Sequence, residues 1–241
     1  MLRISARASL LALGTIVGCS GCREDPTGPA YEPTLPTQWA ATVTNPFFPL
    51  LPGTVWRYQG ETDEGTETIV VEVLPQTRTV HGVAATVVRD RVYLEGELTE
   101  DTDDWFAQDA AGNVWYLGED SKEVRNGTVV GTEGSWEWGK DGALPGIIMW
   151  ADPAAHVGEA YRQEYYRGEA EDWGKVVALT ESVQVPHGNF TGCIKTEDWN
   201  GLEGRSRSLE YKYYCRDLGT VLEMPAGDPG ERVALIQLTR Q

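Results

Sequence analysis

Two short segments set carboxylates beside a tryptophan, Glu169-Ala170-Glu171-Asp172-Trp173 and Glu197-Asp198-Trp199. A pair of carboxylates can divide the work of acid and nucleophile, or acid and base, in glycoside hydrolysis when they stand about 5 or 9 Å apart, and an aromatic ring beside them suits a sugar face. The order of residues does not supply that separation. A second acidic group, Glu100-Asp101-Thr102-Asp103-Asp104 with Asp109 and Glu119-Asp120 nearby, offers oxygen ligands to calcium, with Asp101, Asp103, Asp104 and Asp109 as the metal candidates. The run lacks the alternating ligands, central glycine and late bidentate Glu of a calcium loop, which favours a solvated strand end.

Signatures of other chemistries are missing from the sequence: no Gly-x-Ser-x-Gly elbow, no His-Glu-x-x-His, no glycine-rich phosphate loop and no pair of Cys-x-x-Cys segments. The three histidines, His81, His156 and His187, sit in turn-like settings where a solvated ring is the ordinary use. No cofactor is implied, and catalysis is not the default reading. Aromatics remain the best candidates for contacting a ligand: Trp105, Trp115, Trp150, Trp173, Trp199, Tyr211 and Tyr213. With nine Trp and ten Tyr in the chain, core packing and cross-strand pairing are their competing use.

The first residues carry an address. Arg3 and Arg7 precede the apolar Leu10 to Val17, too short to span a bilayer, as in a secretory signal. Ile16-Val17-Gly18-Cys19 resembles the bacterial lipoprotein signal box, in which the cysteine becomes the first mature residue and is acylated. That resemblance implies lipidation at Cys19 and attachment in the bacterial cell envelope. Ser20 in place of Asp favours the outer membrane where the organism has one. Two or three acyl chains make attachment durable where one holds only reversibly.

Composition narrows the partners. The chain has 241 residues, 20 Lys plus Arg and 37 Asp plus Glu, for a net charge of −17. Removal of residues 1–18 takes two arginines and leaves 18 basic against 37 acidic side chains, net −19. Such a chain is not built for nucleic acid, nor for lying flat on anionic lipid. Membrane contact is then expected through the anchor only, and the partner expected at the folded part is a lipid, glycan or protein ligand.

The elements that must position these residues follow. Residues 19–44 carry Pro26, Pro29, Pro33 and Pro36 and almost no apolar period, so they read as a proline-rich linker of up to about 70 Å when extended. Asn45 to Gly53 is apolar but broken by prolines and reads as an irregular arm on the domain. From Thr54 onward, short runs at period two recur between glycines, as in Ile69, Val71 and Val73, and no stretch has a convincing helical period. The fold class expected is all-β, with residues 45–241 forming a single antiparallel meander, a curved sheet or unclosed barrel of about ten strands. Glu133 to Pro153, rich in Trp and Gly, reads as a long loop or lid.

Two hairpins can be placed. Asp109 to Asn113 supplies turn residues between Trp105-Phe106-Ala107-Gln108 and Val114-Trp115-Tyr116-Leu117. With Cys19 acylated and Cys22 in the linker, Cys193 and Cys215 remain to pair in an oxidising compartment. If they face one another, Lys195 faces Tyr213, Glu197 faces Tyr211 and Trp199 faces Leu209.

Asn45-Pro46-Phe47-Phe48-Pro49-Leu50, Pro52-Gly53-Thr54, Asp104 to Asp109 running into Gly112 to Tyr116, Val185 to Phe190 and Tyr211 to Tyr214 together resemble a group of uncharacterised bacterial envelope lipoproteins. The last two patterns are also similar to unclosed β-barrel domains of the lipoprotein-carrier (LolA/LolB-like) type. Here Cys215-Arg216-Asp217 stands where the first group tends to have a small-residue and Pro-Gly turn. The resemblance implies a fold and an address. The function expected is a lipid-anchored, non-enzymatic envelope protein that binds an apolar ligand or protein partner on a curved sheet. A carbohydrate-binding or carbohydrate-hydrolysing surface domain is the first alternative, and a calcium-stabilised structural module is the second.

Overall fold

The computed structural model describes residues 31–228 and 230–240. The signal segment, Cys19 and Cys22 lie outside the described residues. Sixteen strands form one sheet: β1 Val55–Thr62, β2 Gly65–Val80, β3 Val83–Leu94, β4 Glu97–Gln108, β5 Val114–Asp120, β6 Glu123–Arg125, β7 Thr128–Gly131, β8 Trp136–Glu137, β9 Leu144–Met149, β10 Ala160–Arg162, β11 Glu164–Tyr165, β12 Asp172–Val185, β13 Gly188–Asn200, β14 Glu210–Cys215, β15 Gly219–Pro225 and β16 Val233–Thr239. The all-β meander is as expected from the sequence, with more than the ten strands anticipated. Most of the surplus comes from short strands of two to four residues, which carry too few positions for period two to show.

The ladder runs β10-β12-β13-β14-β15-β16-β1-β2-β3-β4-β5-β9-β11, so the last long strand pairs with the first and the sheet curls on itself. Its two edges, β10 and β11, are consecutive in the chain with only Gln163 between them. The barrel is therefore nearly closed, with a seam one residue wide. Curling hides almost all edge hydrogen-bonding groups, which an open sheet of this width would expose. On one flank of the seam, Tyr161 pairs with Gly174 of β12; on the other, Glu164 pairs with Pro145 of β9. The Gln163 amide donates to the Asp172 carbonyl at 2.9 Å.

The seam explains one glycine. A Cβ on Gly146 would fall on the main chain of Gln163 and Arg162, which cannot move without opening the barrel. Gly146→Ala is expected to cost about 1–3 kcal/mol, the range of overpacked positions. Urea denaturation checks this, and an unchanged midpoint would show that the seam is looser than drawn.

Two segments behave differently from their sequence reading. Leu144 to Met149, inside the expected long loop, is a wall strand, with Ile147, Ile148 and Met149 buried. Both of its faces are covered, so its residues are apolar without alternation, and Pro145-Gly146 masks the run. The linker reading also reaches too far, because residues 31–44 lie against the barrel. Trp39 bridges to Asp109 and sets its ring 6.2 Å from those of Trp115 and Trp138. Val43 is buried and pairs with Leu50, and the Tyr31 hydroxyl donates to the Pro145 carbonyl at 3.0 Å. Isolated apolar residues in a proline-spaced chain show no period, yet Tyr31 and Trp39 each find partners on the barrel and Val43 finds one in the arm.

Beyond this point the arm turns over the barrel end, as the apolar, proline-broken composition of Asn45 to Gly53 suggests. Asn45 is buried, and its side-chain amide donates to the carbonyls of Gly112 at 3.0 Å and Trp150 at 3.1 Å. Phe48 then reaches the rings of Phe106, at 5.3 Å, and Tyr214, at 6.4 Å.

A candidate ligand cavity inside the barrel

Alternation along the strands decides what the barrel encloses. On β1, Trp56 and Tyr58 point inward while Arg57 and Gln59 are exposed. Val71, Val88, Phe106 and Ile148 add to the same wall from β2, β3, β4 and β9, and Phe48, Pro49 and Leu50 of the arm cover it. These side chains line a pocket that opens to solvent at one side. Phe48 and Pro49 are only half-buried and stand on the open side.

The remaining lining is polar and far more buried. Lys212 of β14 is 2% exposed, and Glu223 of β15 and Gln163 of the seam are each 1% exposed. The ladder places Lys212 opposite Glu223 on one side and Thr196 on the other, with Glu210 opposite Asp198 one row along. The Lys212 ammonium lies 3.0 Å from Glu210, 3.7 Å from Asp198 and 3.9 Å from Glu223. Gln163 donates its side-chain amide to Asp198 at 2.9 Å. One ammonium thus serves three carboxylates.

Their titration follows from that imbalance. Burial raises Glu223 well above the ordinary carboxylate range; Lys212 pulls it down, and Glu210, Asp198 and Asp90 push it up again. Burial by itself depresses Lys212, but the charges of Glu210, Glu223 and Asp198 outweigh it, so the lysine remains an ammonium. Asp90 is likewise raised by burial, with Asp104, Glu100 and Glu119 adding to it. Three ionised carboxylates around one cation in a dry interior carry a steep desolvation cost, so the site favours the charged form of Lys212 and the protonated form of Glu223.

A further buried carboxyl sits near the strand ends, where burial lifts Glu67 to about 7, with Glu100 adding. The folded protein therefore holds more protons than the unfolded chain between about pH 4.5 and 7, and stability must fall as pH rises through that window. Asp90 and Glu223 extend the same trend upward, whereas Asp101 and Glu137, whose pKa values are lowered, act only in more acidic solution. The melting temperature is expected to be higher at pH 5.5 than at pH 8. Glu67→Gln should recover about 1–2 kcal/mol at pH 8, part of the full shift being screened by nearby water. A melting temperature that rises with pH across this range would contradict the assignment.

The aromatics singled out from sequence fall elsewhere, and none of the seven lines the cavity. Trp105 is buried on the opposite face of β4 from Phe106, with the Arg78 guanidinium 4.0 Å above its ring. Trp115 donates to Asp109 at 2.9 Å under the arm. Trp150 stacks on His156 at 3.8 Å. Trp173 and Trp199 stack across β12 and β13 with ring centroids 6.0 Å apart; Arg162 lies 4.1 Å over the first and Arg205 5.6 Å from the second. Tyr211 and Tyr213 flank the Lys195 ammonium at 3.6 and 5.4 Å. Guanidinium groups already take the Trp173 and Trp199 faces, which leaves little flat ring for a sugar.

The carboxylates separate in the same way. Glu197 points outward to Arg205 at 2.6 Å and Glu171 pairs with Arg162 at 3.1 Å, while their neighbour Asp198 points in. In the acidic run, Asp101 pairs with Arg89 and the half-buried Asp103 also alternates away from the interior. Asp104 is buried and accepts from Tyr116, and Asp109 is consumed by the turn, accepting from Asn113 and Trp115. Period two sends these neighbours to opposite faces, and no group of three His, Cys, Asp or Glu among the described residues could hold a metal. Cys193 and Cys215 form a disulfide with Cα atoms 4.3 Å apart, and Lys195–Tyr213 and Glu197–Tyr211 pair as the bond requires.

Sequence reasoning missed Trp56, Tyr58, Phe106, Lys212 and Glu223. The alternation in Val55 to Glu61 and in Glu210 to Cys215 carried the signal, but it does not say which face is concave.

Fold and cavity together define a nearly closed, single-chain antiparallel β-barrel with an amphipathic interior. No family model and no curated protein matches the chain. Among solved structures, a lipoprotein candidate from Parabacteroides distasonis aligns over 80% of this chain and 98% of that chain, at 14% identity and a TM-score of 0.41. That degree of likeness carries no argument about function.

Proposed function

We propose that this is a lipid-anchored protein of the bacterial envelope that holds an apolar ligand inside its barrel and catalyses no reaction. The outer membrane is the favoured site where the organism has one. The observation that carries the binding part is the cavity, a space walled by Trp56, Phe106, Val88 and Ile148. A concave, mostly apolar pocket with a few convergent polar groups is the usual form of a small-molecule site. The anchor rests on Arg3, Arg7, the short apolar stretch and Ile16-Val17-Gly18-Cys19.

Two measurements test this. Native mass spectrometry of the protein after gentle extraction should show an added mass that organic solvent removes. A clean apo mass, together with no uptake of an environment-sensitive apolar dye, would sink the binding part. Cys19→Ser should release the protein from the membrane fraction, and continued membrane retention would remove the anchor.

A further inference from the structure

Resting on the reading of the cavity as a ligand site, we propose that its ligand is a cationic amphiphile, an aliphatic chain ending in a protonated amine, whose head is received by Glu223 and Gln163. Three observations support this. Neither carboxylate oxygen of Glu223 accepts a hydrogen bond, and the amide oxygen of Gln163 also lacks one, although both residues line the cavity at 1% exposure. Buried acceptors left without donors are costly, and such groups in a native interior call for a partner, be it ordered water, an ion or a ligand. The cation already present is committed, since Lys212 lies among Glu210, Asp198 and Glu223. An ionised fatty acid or phosphate entering here would meet three unmatched acceptor oxygens and an excess of carboxyl groups. An ammonium brings three donors and the missing positive charge.

The choice of an amine over a neutral hydroxyl head rests on charge. Glu223 is faced by Lys212, Glu210 and Tyr214 of β14, Asp198 of β13, Asp90 of β3 and Tyr58 of β1. Among these, Lys212 is the one cation. In the empty protein Glu223 relieves the excess by keeping its proton. When an ammonium arrives, the carboxyl gives that proton to solvent and pairs with the ligand, so amine binding should release up to one proton per site and strengthen as pH rises. A hydroxyl head would bind without proton release.

The test compares decylamine, decanol and decanoate, below their aggregation concentrations, by isothermal titration of the soluble chain in two buffers of different ionisation enthalpy at pH 7. The expected result is decylamine binding about tenfold or more tighter than decanoate, with buffer-dependent heat showing proton release. Glu223→Gln should abolish both the release and the preference. If that variant does not fold, Gln163→Leu and the wild-type comparison still decide. Decanoate binding as well as or better than decylamine, or decanol matching decylamine without proton release, would overturn the proposal and leave the cavity reading intact. If none of the three binds, it is the cavity reading that fails.

Discussion

Lys212→Met is expected to destabilise the protein by about 3–5 kcal/mol at pH 8, the usual cost of removing one partner from a buried ionic group. Methionine nearly preserves the volume, so the loss reports charge and not packing. Without the ammonium, Glu210, Asp198 and Glu223 are left in a site that is almost wholly closed to water. Burial already raises the carboxyls of Glu210 and Glu223, and loss of the cation pushes both further toward their protonated forms. The cost should therefore shrink at pH 5, where protons are plentiful, and a second substitution, Glu223→Gln, should recover part of it at pH 8. Urea unfolding of the three proteins at both pH values measures this. A loss under about 1 kcal/mol at pH 8 would mean that water reaches the group and screens it.

The second large effect concerns Cys193 and Cys215. Their bond closes a loop with a sequence separation of 22, for which loop-closure entropy predicts about 3 kcal/mol. For a domain of this size that is about 10 °C in melting temperature. Reduction, or the paired change to alanine, should produce this loss. The neighbouring Tyr214 lines the cavity, so ligand uptake should weaken along with stability. Calorimetry with and without a reductant is the check, and a shift within 1 °C would show that the β13–β14 ladder constrains the unfolded loop little. The predicted loss is smaller than that for Lys212 because a disulfide acts mainly on the unfolded chain, whereas an unpaired buried charge acts on the folded one.

How much of this could be read beforehand differs from element to element. The β13–β14 pairing was legible because two cysteines and strict alternation over-determine a register. The β4–β5 hairpin was legible because its turn chemistry is local. Leu144 to Met149 was not, since a strand buried on both faces has no period. Trp39 was not, since its partners Asp109, Trp115 and Trp138 lie far along the chain. The tryptophans misled for a related reason. A large ring on the outside of a barrel can be as buried as one inside when Arg78 or the arm covers it, as at Trp105 and Trp115.

By itself, the sequence determined the class of the fold, the identity of the disulfide and the acidic balance, because period two, turn residues and charge are local or additive properties. The tertiary structure alone decided which face is concave, where the barrel meets itself at Gln163 and which carboxylates share Lys212. Those facts depend on sheet curvature and on contacts between strands distant in the chain. The same alternation that sends Asp198 inward sends Glu197 and Trp199 outward, and only closure of the sheet makes one of those directions a binding site.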